Sequence, residues 1–445
     1  MLTDVIAAQS TPPGRSAVAL LRLSGAGSHE LAGRVLNPFT VRPYRYARLG
    51  SLRRVGTDET IDSVLYVTYD GPRSYTGEDA VEISTHGGML VPLECLNAIL
   101  DAGARLAAPG EFTRRALQNG KIDLLQAEAI GDLIDATAPA QRRAAIDQLD
   151  RGLSERIGDL RADVLKLEAL VSYDIDFPEE DSGPVPAEHV DHAIEAVSEA
   201  LSRLMKSAGE GERLREGAMA VIAGRPNAGK SSLFNALLGT ERAIVTEVPG
   251  TTRDAIEAPA NCGGFPFRLV DTAGLRDTVD SVEKIGVEVS RKYLAAADVV
   301  LFCAEAGREL DDDELRFLAE TEVPTVLIRT KSDLASRKPA EALCVSAPTG
   351  EGLDTLREEL ARVAFTSLVA EGNVHTVLTR ERHRRAVTEA LNEIELFARA
   401  RREGLEMAVA ATHLRAAVTA LDQVIGTVST DDVLDIVFAT FCVGK

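Results

Sequence analysis

Tryptophan is absent from the 445-residue chain, and aromatic residues make up only 4% of it. The core must therefore be built mainly from aliphatic side chains. The five cysteines are scattered and form no CxxC pair, which excludes a disulfide framework and a cysteine zinc site and indicates a reducing compartment. Apolar runs fall short of the roughly 20 residues that cross a bilayer, and the N-terminus lacks a basic, apolar leader. We therefore expect a cytoplasmic protein with no membrane contact.

Positive charge is also scarce, since 49 Lys and Arg residues face 69 Asp and Glu residues, for a net charge of −20. Proteins that coat nucleic acids bind phosphates through clustered Lys and Arg, and docking on anionic membranes needs the same charge. Both classes are disfavoured. Any contact with RNA must come from a local patch or from a partner.

Residues 1–119 combine strand-like and turn-like segments, which predicts an α+β domain. Strands are expected at residues 17–23, 63–67 and 80–84, where apolar and β-branched residues cluster. The sequence Thr-His-Gly-Gly at residues 85–88 predicts a turn.

The remaining chain changes texture twice. Residues 120–215 and 366–445 are rich in Ala, Leu, Glu and Arg with helical periodicity, and Thr379 is expected to cap a helix. Residues 216–365 alternate strands and helices, as in a doubly wound parallel sheet. The simplest fold class is multidomain α/β plus α, with the α/β domain inserted into a helical domain.

The segment Gly224–Ser231 fits the phosphate-binding pattern GxxxxGK[ST] between a predicted strand and a helix. Its glycines allow backbone N–H groups to face phosphates, and the helix N-terminus adds positive potential. Lys230 would reach the β- and γ-phosphates, and Ser231 would bind Mg²⁺. A glycine-rich turn that matches by chance is the weaker alternative.

A second motif, Asp271-Thr272-Ala273-Gly274, follows an apolar strand. The carboxylate suits the water shell of Mg²⁺, and Gly274 can offer its N–H to a γ-phosphate. Ras-like enzymes carry a water-orienting Gln directly after this motif, where this chain has Leu275. Glu283 is a candidate replacement, although the residues alone favour a solvated helix position.

Guanine recognition is predicted by Thr330-Lys331-Ser332-Asp333, because Asp333 can accept hydrogen bonds from N1 and the 2-amino group of the base. Ser346-Ala347 fits the loop that contacts guanine O6. Without these two motifs an ATPase would be equally expected. Thr330 stands where Asn is usual, which weakens a supporting contact.

A polar segment, Gly250-Thr251-Thr252-Arg253-Asp254, lies between the first two motifs, where a switch loop is expected. Thr252 is the candidate second hydroxyl ligand of Mg²⁺, since metal and γ-phosphate order such loops. A polar surface turn is the alternative.

Together the segments GRPNAGKSS, GTTRD and DTAGLRDTVDSVEKIG and the C-terminal Phe441-Cys-Val-Gly-Lys445 resemble the MnmE (TrmE) family of tRNA-modification GTPases. Residues 8–15, 74–79 and 109–115 agree with its N-terminal domain. The resemblance covers essentially the whole chain. It implies a homodimer that works with an FAD-containing MnmG-type partner. Together they would add a carboxymethylaminomethyl or aminomethyl group to C5 of the wobble uridine of certain tRNAs.

The resemblance also implies ligands and site residues. A formyl-tetrahydrofolate would be the one-carbon donor, held by Arg22, Glu82, Lys121 and Lys445, although Arg22 and Glu82 equally suit ordinary strands. Potassium would activate the GTPase, and Glu283 would orient water. The family's K⁺ positions match Asn227, Thr246, Val248 and Thr251. Its nucleotide contacts extend over Ala228, Gly229 and Ser232.

Two features keep more than one interpretation. Cys442 near the C-terminus is a candidate functional thiol with no assigned role. The Arg-rich segment 380–402 fits a tRNA-facing surface or a solvated helix face with i,i+4 ion pairs.

Three functions fit the sequence. The first is a GTPase that drives a tRNA-modifying complex, which the long N-terminal region and the CxGK end favour. A ribosome-assembly switch is the second, but the sequence shows no KH-type GxxG module. The third is a folate-dependent one-carbon enzyme with an appended GTPase domain.

Overall fold

A computed structural model forms two compact units, residues 1–131 with 425–445 and residues 132–424. The predicted domain boundaries at residues 119, 215 and 365 stay predictions. The structure describes residues 4–41, 45–176, 186–239, 256–271, 292–335, 342–371, 377–426 and 431–444.

The first unit is built on one mixed sheet. The two long strands Gly14–Ser24 and Ala80–Gly88 pair antiparallel near its middle, with Arg22 opposite Glu82. Helices Ser28–Val35 and Val91–Asp101 contribute to the buried apolar cluster on one face of the sheet. All three strands predicted in this region are confirmed. Among the described residues the strand order is Leu36–Asn37, Arg48–Arg53, Thr60–Tyr69, Ala80–Gly88, Gly14–Ser24, Ile6–Gln9 and Arg105–Leu106.

The turn predicted at residues 85–88 is wrong, because the strand continues through Gly88. Gly87 serves close packing there. A Cβ atom on Gly87 would lie 2.1 Å from the carbonyl oxygen of Ser16 on the neighbouring strand. Only glycine lets the two backbones approach this closely.

The C-terminal helix Asp431–Ala439 belongs to this first unit and packs on helix Glu111–Gln118. A Cβ atom on Gly110 would lie 2.9 Å from the Phe438 ring, which shows how tightly the two segments meet. Arg114 adds an ion pair to Asp435 at 2.7 Å. The two ends of the chain therefore build one body.

A buried arginine anchors the same region. Arg115 is only 1% exposed, and its guanidinium contacts Asp4 at 2.8 Å, Glu111 at 3.1 Å and Glu78 at 3.3 Å. Arg105 binds Asp4 and Glu111 as well, at 2.7 and 2.6 Å. A buried charge is tolerated only when it is paired and hydrogen-bonded. This network therefore holds helix Glu111–Gln118 to the segment at Asp4 that leads into strand Ile6–Gln9.

The network lowers the pKa of two of its carboxyl groups. Burial raises the pKa of Glu111, but hydrogen bonds from Arg105, the Ala108 amide and Arg115 outweigh it and hold that pKa below its ordinary value. Hydrogen bonds from Arg105 and Arg115 likewise lower the pKa of Asp4. Both groups are thus held in the charged form.

Stability of the first unit should fall in acid. Because both pKa values are lower in the folded than in the unfolded chain, the stabilisation is fully present above about pH 4–5 and is lost as pH falls further. We expect Glu111→Gln to cost about 1–3 kcal/mol at pH 7 and to make the remaining stability less dependent on pH. Hydrogen exchange of residues 111–118 in urea, at pH 7 and pH 3, measures both.

Glu30→Gln is the matched control, since Glu30 forms an exposed i,i+4 pair with Arg34 and should change stability by about 0.5 kcal/mol or less. The same pH dependence in wild type and Glu111→Gln would contradict the role of this network.

The second unit contains a helical part, as the periodicity of residues 120–215 and 366–445 predicts. Helix Ala187–Lys206 packs against both Gly152–Asp176 and Glu381–Arg402. The predicted cap at Thr379 is wrong, because the helix begins at Glu381 after Arg380 and no side chain caps it. The Thr379 hydroxyl instead accepts a hydrogen bond from Gln148 at 3.5 Å.

The sheet of the second unit has parallel strands joined by helices, which confirms the predicted α/β arrangement. The edge strand Ile256–Cys262 runs antiparallel to Phe265–Asp271 and was not predicted. Among the described residues the strand order is Leu343–Cys344, Thr325–Thr330, Val299–Glu305, Ala218–Gly224, Phe265–Asp271 and Ile256–Cys262.

Other helices in the described part of the chain are Leu124–Asp135, Pro139–Leu149, Ala208–Glu216, Lys230–Leu238, Asp312–Glu320, Leu353–Ala364, Thr366–Glu371 and Met407–Ile425. None of the helices in the described part of the chain is long and apolar enough to cross a bilayer.

Candidate functional site

The phosphate-binding motif lies where the sequence predicts it, between strand Ala218–Gly224 and helix Lys230–Leu238. Gly229 caps the helix with a φ of 82°, in the left-handed region that favours glycine. A Cβ atom on Gly224 would lie 2.3 Å from the Cys303 carbonyl oxygen. The two glycines therefore set how the loop leaves the sheet and enters the helix.

Within the loop, Lys230 is only 8% exposed, and its ammonium group donates to the Arg225 carbonyl at 2.7 Å. Asn227 is exposed and has a φ of 63°. Ser231 and Ser232 are exposed at the start of the helix. The arrangement offers a cation, an amide and hydroxyl groups at a helix N-terminus, which suits a phosphate and its metal ion.

Asp271 is the last residue of strand Phe265–Asp271, which runs parallel to strand Ala218–Gly224. Asp271 pairs with Ile222 on that neighbouring strand. Its side chain is 3% exposed. A buried carboxylate beside a phosphate-binding loop fits Mg²⁺, whose ligands are oxygen atoms.

Residues 330–333, which are predicted to recognise guanine, are joined to the phosphate-binding loop by the buried hydroxyl of Thr330. Thr330 donates to the Ala228 carbonyl at 2.7 Å and lies 3.3 Å from the Ala304 carbonyl oxygen. A Cβ atom on Gly229 would lie 3.5 Å from Thr330. Threonine at this position therefore supplies a direct link to the phosphate-binding loop.

The two predicted guanine loops lie side by side. The Ser332 amide donates to the Val345 carbonyl at 3.2 Å, and Ser346 is fully buried with its amide bound to the Glu351 carbonyl. Asp333 is exposed, and Ala347 is half-buried. Lys331 has a φ of 56° and forms an ion pair with Glu305. The exposed carboxylate of Asp333 is accessible to a base.

Part of the predicted nucleotide and folate sites lies outside the described residues. These positions are Thr246, Val248, Thr251, Thr252, Thr272, Ala273, Gly274, Leu275, Glu283 and Lys445.

In the first unit, Arg22 and Glu82 form a cross-strand ion pair at 2.7 Å. The Tyr69 hydroxyl donates to the other Glu82 oxygen at 3.0 Å. The Arg22 guanidinium lies 5.2 Å from the centre of the Tyr75 ring and 5.7 Å from that of Phe112. These aromatic residues were not predicted, although Tyr75 and Phe112 lie inside the N-terminal segments that carry the family resemblance.

The other described candidates of this unit, Lys121 and Cys442, are exposed. The Lys121 ammonium donates to the Pro72 carbonyl at 2.9 Å. Cys442 is exposed, in contrast to the buried Cys262 and Cys303, where burial raises the thiol pKa to about 12. Of these three thiols, Cys442 is the accessible one.

The geometry predicts how the base is read. We expect Asp333→Asn to weaken guanine nucleotide binding by roughly 10- to 100-fold, because hydrogen bonds to charged groups contribute about 1.5–3 kcal/mol. Xanthine nucleotides, which offer an acceptor in place of the 2-amino group, should gain affinity. Titrations with fluorescent nucleotides of both bases test this.

Asp354→Asn serves as the control, since Asp354 is an exposed carboxylate paired with Arg357. Equal guanine affinity of Asp333→Asn and the control would remove Asp333 from base recognition.

Two family models match the chain. The one described as MnmE helical domain covers residues 124–442, and the one described as GTP-binding protein TrmE N-terminus covers residues 5–121.

Curated proteins match along the whole length. The chain is 41% identical to the tRNA modification GTPase MnmE of Aquifex aeolicus (strain VF5), over 100% of both chains. It is 39% identical to the protein of that name from Geobacter sulfurreducens over 99% of each chain, and 39% identical to that from Moorella thermoacetica over 100% of each.

Proposed function

Since the chain belongs to the MnmE family of tRNA modification GTPases, we propose that it hydrolyses GTP to GDP and phosphate as part of tRNA modification. The observation that carries this proposal is the link between the phosphate-binding and base-reading segments. The Thr330 hydroxyl donates to the Ala228 carbonyl at 2.7 Å, so a direct hydrogen bond joins the loop that carries Lys230 to the segment that carries Asp333.

Each described group has a task in this reaction. Lys230 binds the β- and γ-phosphates and offsets their charge. The N–H groups around Gly229 add partial positive charge at the helix N-terminus. Asp333 holds the guanine and thereby fixes the γ-phosphate in position, since positioning and electrostatics provide most of the catalysis in phosphoryl transfer.

Magnesium fits the residues present. Ser231 and Thr252 would hold the ion directly, and the buried Asp271 would act through its water ligands. The ion neutralises charge that develops between the β- and γ-phosphates.

Water activation needs a group other than Leu275, which has no polar side-chain atom. Glu283 is proposed to orient the attacking water through its carboxylate. A bound K⁺, held by Asn227, Thr246, Val248 and Thr251, is proposed to offset charge beside the phosphates where other GTPases use an arginine. The exposed Asn227 supports this proposal, since its amide oxygen suits a cation.

The wider reaction is proposed on the family resemblance. An FAD-dependent MnmG-type partner and a homodimer of this chain would add a carboxymethylaminomethyl or aminomethyl group to C5 of the wobble uridine. Formyl-tetrahydrofolate would supply the carbon at Arg22, Glu82, Lys121 and Lys445. The partly exposed ring of Tyr75 beside Arg22 suits a flat heterocycle.

Deletion of the gene tests the tRNA role. We expect C5-substituted wobble uridine to disappear from tRNA hydrolysates, measured by mass spectrometry. Wild-type chain should restore it, and Lys230→Ala should not, because phosphate binding is lost. Lys206→Ala, at an exposed helix position, should restore it fully. Unchanged uridine in the deletion strain would favour the ribosome-assembly switch.

Potassium dependence tests the activation mechanism. GTP hydrolysis by the purified chain should be faster in K⁺ than in Na⁺ at equal ionic strength, by roughly tenfold or more if the ion contributes at least 1.4 kcal/mol to the transition state. Asn227→Ala should reduce that ratio while retaining nucleotide binding. Equal rates in both salts would contradict the cation site.

A further inference from the structure

The side chain of Arg225, the second residue of the phosphate-binding loop, contacts the N-terminus of helix Asp312–Glu320. It forms an ion pair with Asp311, and its Nε lies 3.9 Å from Glu314 Oε1. The sequence motif requires no particular residue at this position. The contact therefore ties the loop to a second element of the nucleotide-binding domain.

The partner of Arg225 is a capping box. Asp311 Oδ1 accepts from the amides of Asp313 at 3.1 Å and Glu314 at 3.0 Å, and Glu314 Oε2 accepts from the Asp311 amide at 3.0 Å. Glu314 is 4% exposed and also pairs with Arg308. Both carboxylates are therefore held in place by their own helix, independently of the loop.

The second carboxylate oxygen of Asp311, which takes no part in the capping box, faces the phosphate-binding loop. While Asp311 Oδ1 serves the helix, its Oδ2 faces Arg225 and lies 3.6 Å from Arg308. Burial raises the pKa of Glu314, but its hydrogen bond from Arg308 and other contacts outweigh this and lower that pKa. Two charged carboxylates thus face the guanidinium of Arg225.

The backbone of the same arginine lies inside the nucleotide site. Its carbonyl accepts from the Lys230 ammonium at 2.7 Å and from the Ala228 amide at 3.2 Å. Fixing the Arg225 side chain thereby restricts the loop segment that leads to Ala228 and, through it, to Thr330.

We infer that the capping box of Asp311 and Glu314 positions the phosphate-binding loop through Arg225. This inference rests on the proposed GTP site. Arg225, Asp311 and Glu314 are positioning residues, and they act by limiting the loop to the backbone arrangement that receives phosphates. Such preorganisation improves affinity because less order has to be imposed on binding.

One substitution separates this role from helix capping. Asn caps helices as well as Asp does, so Asp311→Asn retains the cap acceptor and removes the charge that Arg225 requires. Asp313→Asn is the matched control, because it removes one exposed charge from the same helix turn, and that carboxylate pairs with Arg316. Arg225→Gln and the double variant Arg225→Gln/Asp311→Asn complete a cycle.

Affinities for GDP and for a non-hydrolysable GTP analogue are measured with fluorescent nucleotides, together with melting of the nucleotide-free chain. We expect Asp311→Asn and Arg225→Gln each to weaken binding by roughly threefold to tenfold, and the double variant to be no weaker than the worse single variant. Asp313→Asn should stay within about twofold of wild type and melt at the same temperature as Asp311→Asn.

Three results would overturn the inference. Single effects that multiply in the double variant would show that the two residues act separately. Equal affinities of Asp311→Asn and Asp313→Asn would remove the ion pair from loop positioning. Weaker nucleotide binding by Arg225→Gln but not by Asp311→Asn would mean that Arg225 acts on the nucleotide directly. Failure of the wild-type chain to bind either nucleotide would instead refute the proposed function.

Discussion

Parallel strands of the second unit end at a common edge of the sheet, and each described part of the candidate nucleotide site follows one of those ends. Gly224 begins the phosphate-binding loop, Asp271 closes the next strand, and Thr330 opens the base-reading segment. Parallel hydrogen bonding brings these points together because all the carboxyl ends face the same way. The site is therefore a consequence of strand direction, and its chemistry depends on which residues occupy the ends.

That geometry explains why so much of the nucleotide-binding domain could be predicted from the sequence. Apolar strands and glycine-rich turns are local signals, and the motifs fix the order in which they occur. The edge strand Ile256–Cys262 escaped prediction because Pro259 and Asn261 interrupt its apolar pattern. Proline is tolerated at an edge, where the strand pairs on one side only.

Other features depend on residues far apart in the chain and gave no local signal. Gly87 lies within a strand, and the close approach of Ser16 from the neighbouring strand requires glycine there. The Thr379 hydroxyl accepts a hydrogen bond from Gln148 and does not cap the helix that follows it. The role of Arg225 could not be predicted either, since its partner at residue 311 is recognisable only once the helix has been placed beside the loop. Sequence patterns identify elements, whereas contacts between elements decide how individual polar side chains are used.

The packing of helix Asp431–Ala439 on the first unit has a consequence for synthesis. Residues 1–131 leave the ribosome well before helix Asp431–Ala439, which completes the first unit. At about 5–20 residues per second, the segment between them takes on the order of tens of seconds to translate. During that interval the surface around Gly110 that receives Phe438 stays exposed to solvent. A nascent chain that stalls before residue 431 would carry this apolar surface permanently, so premature termination should mark the product for chaperones and proteases.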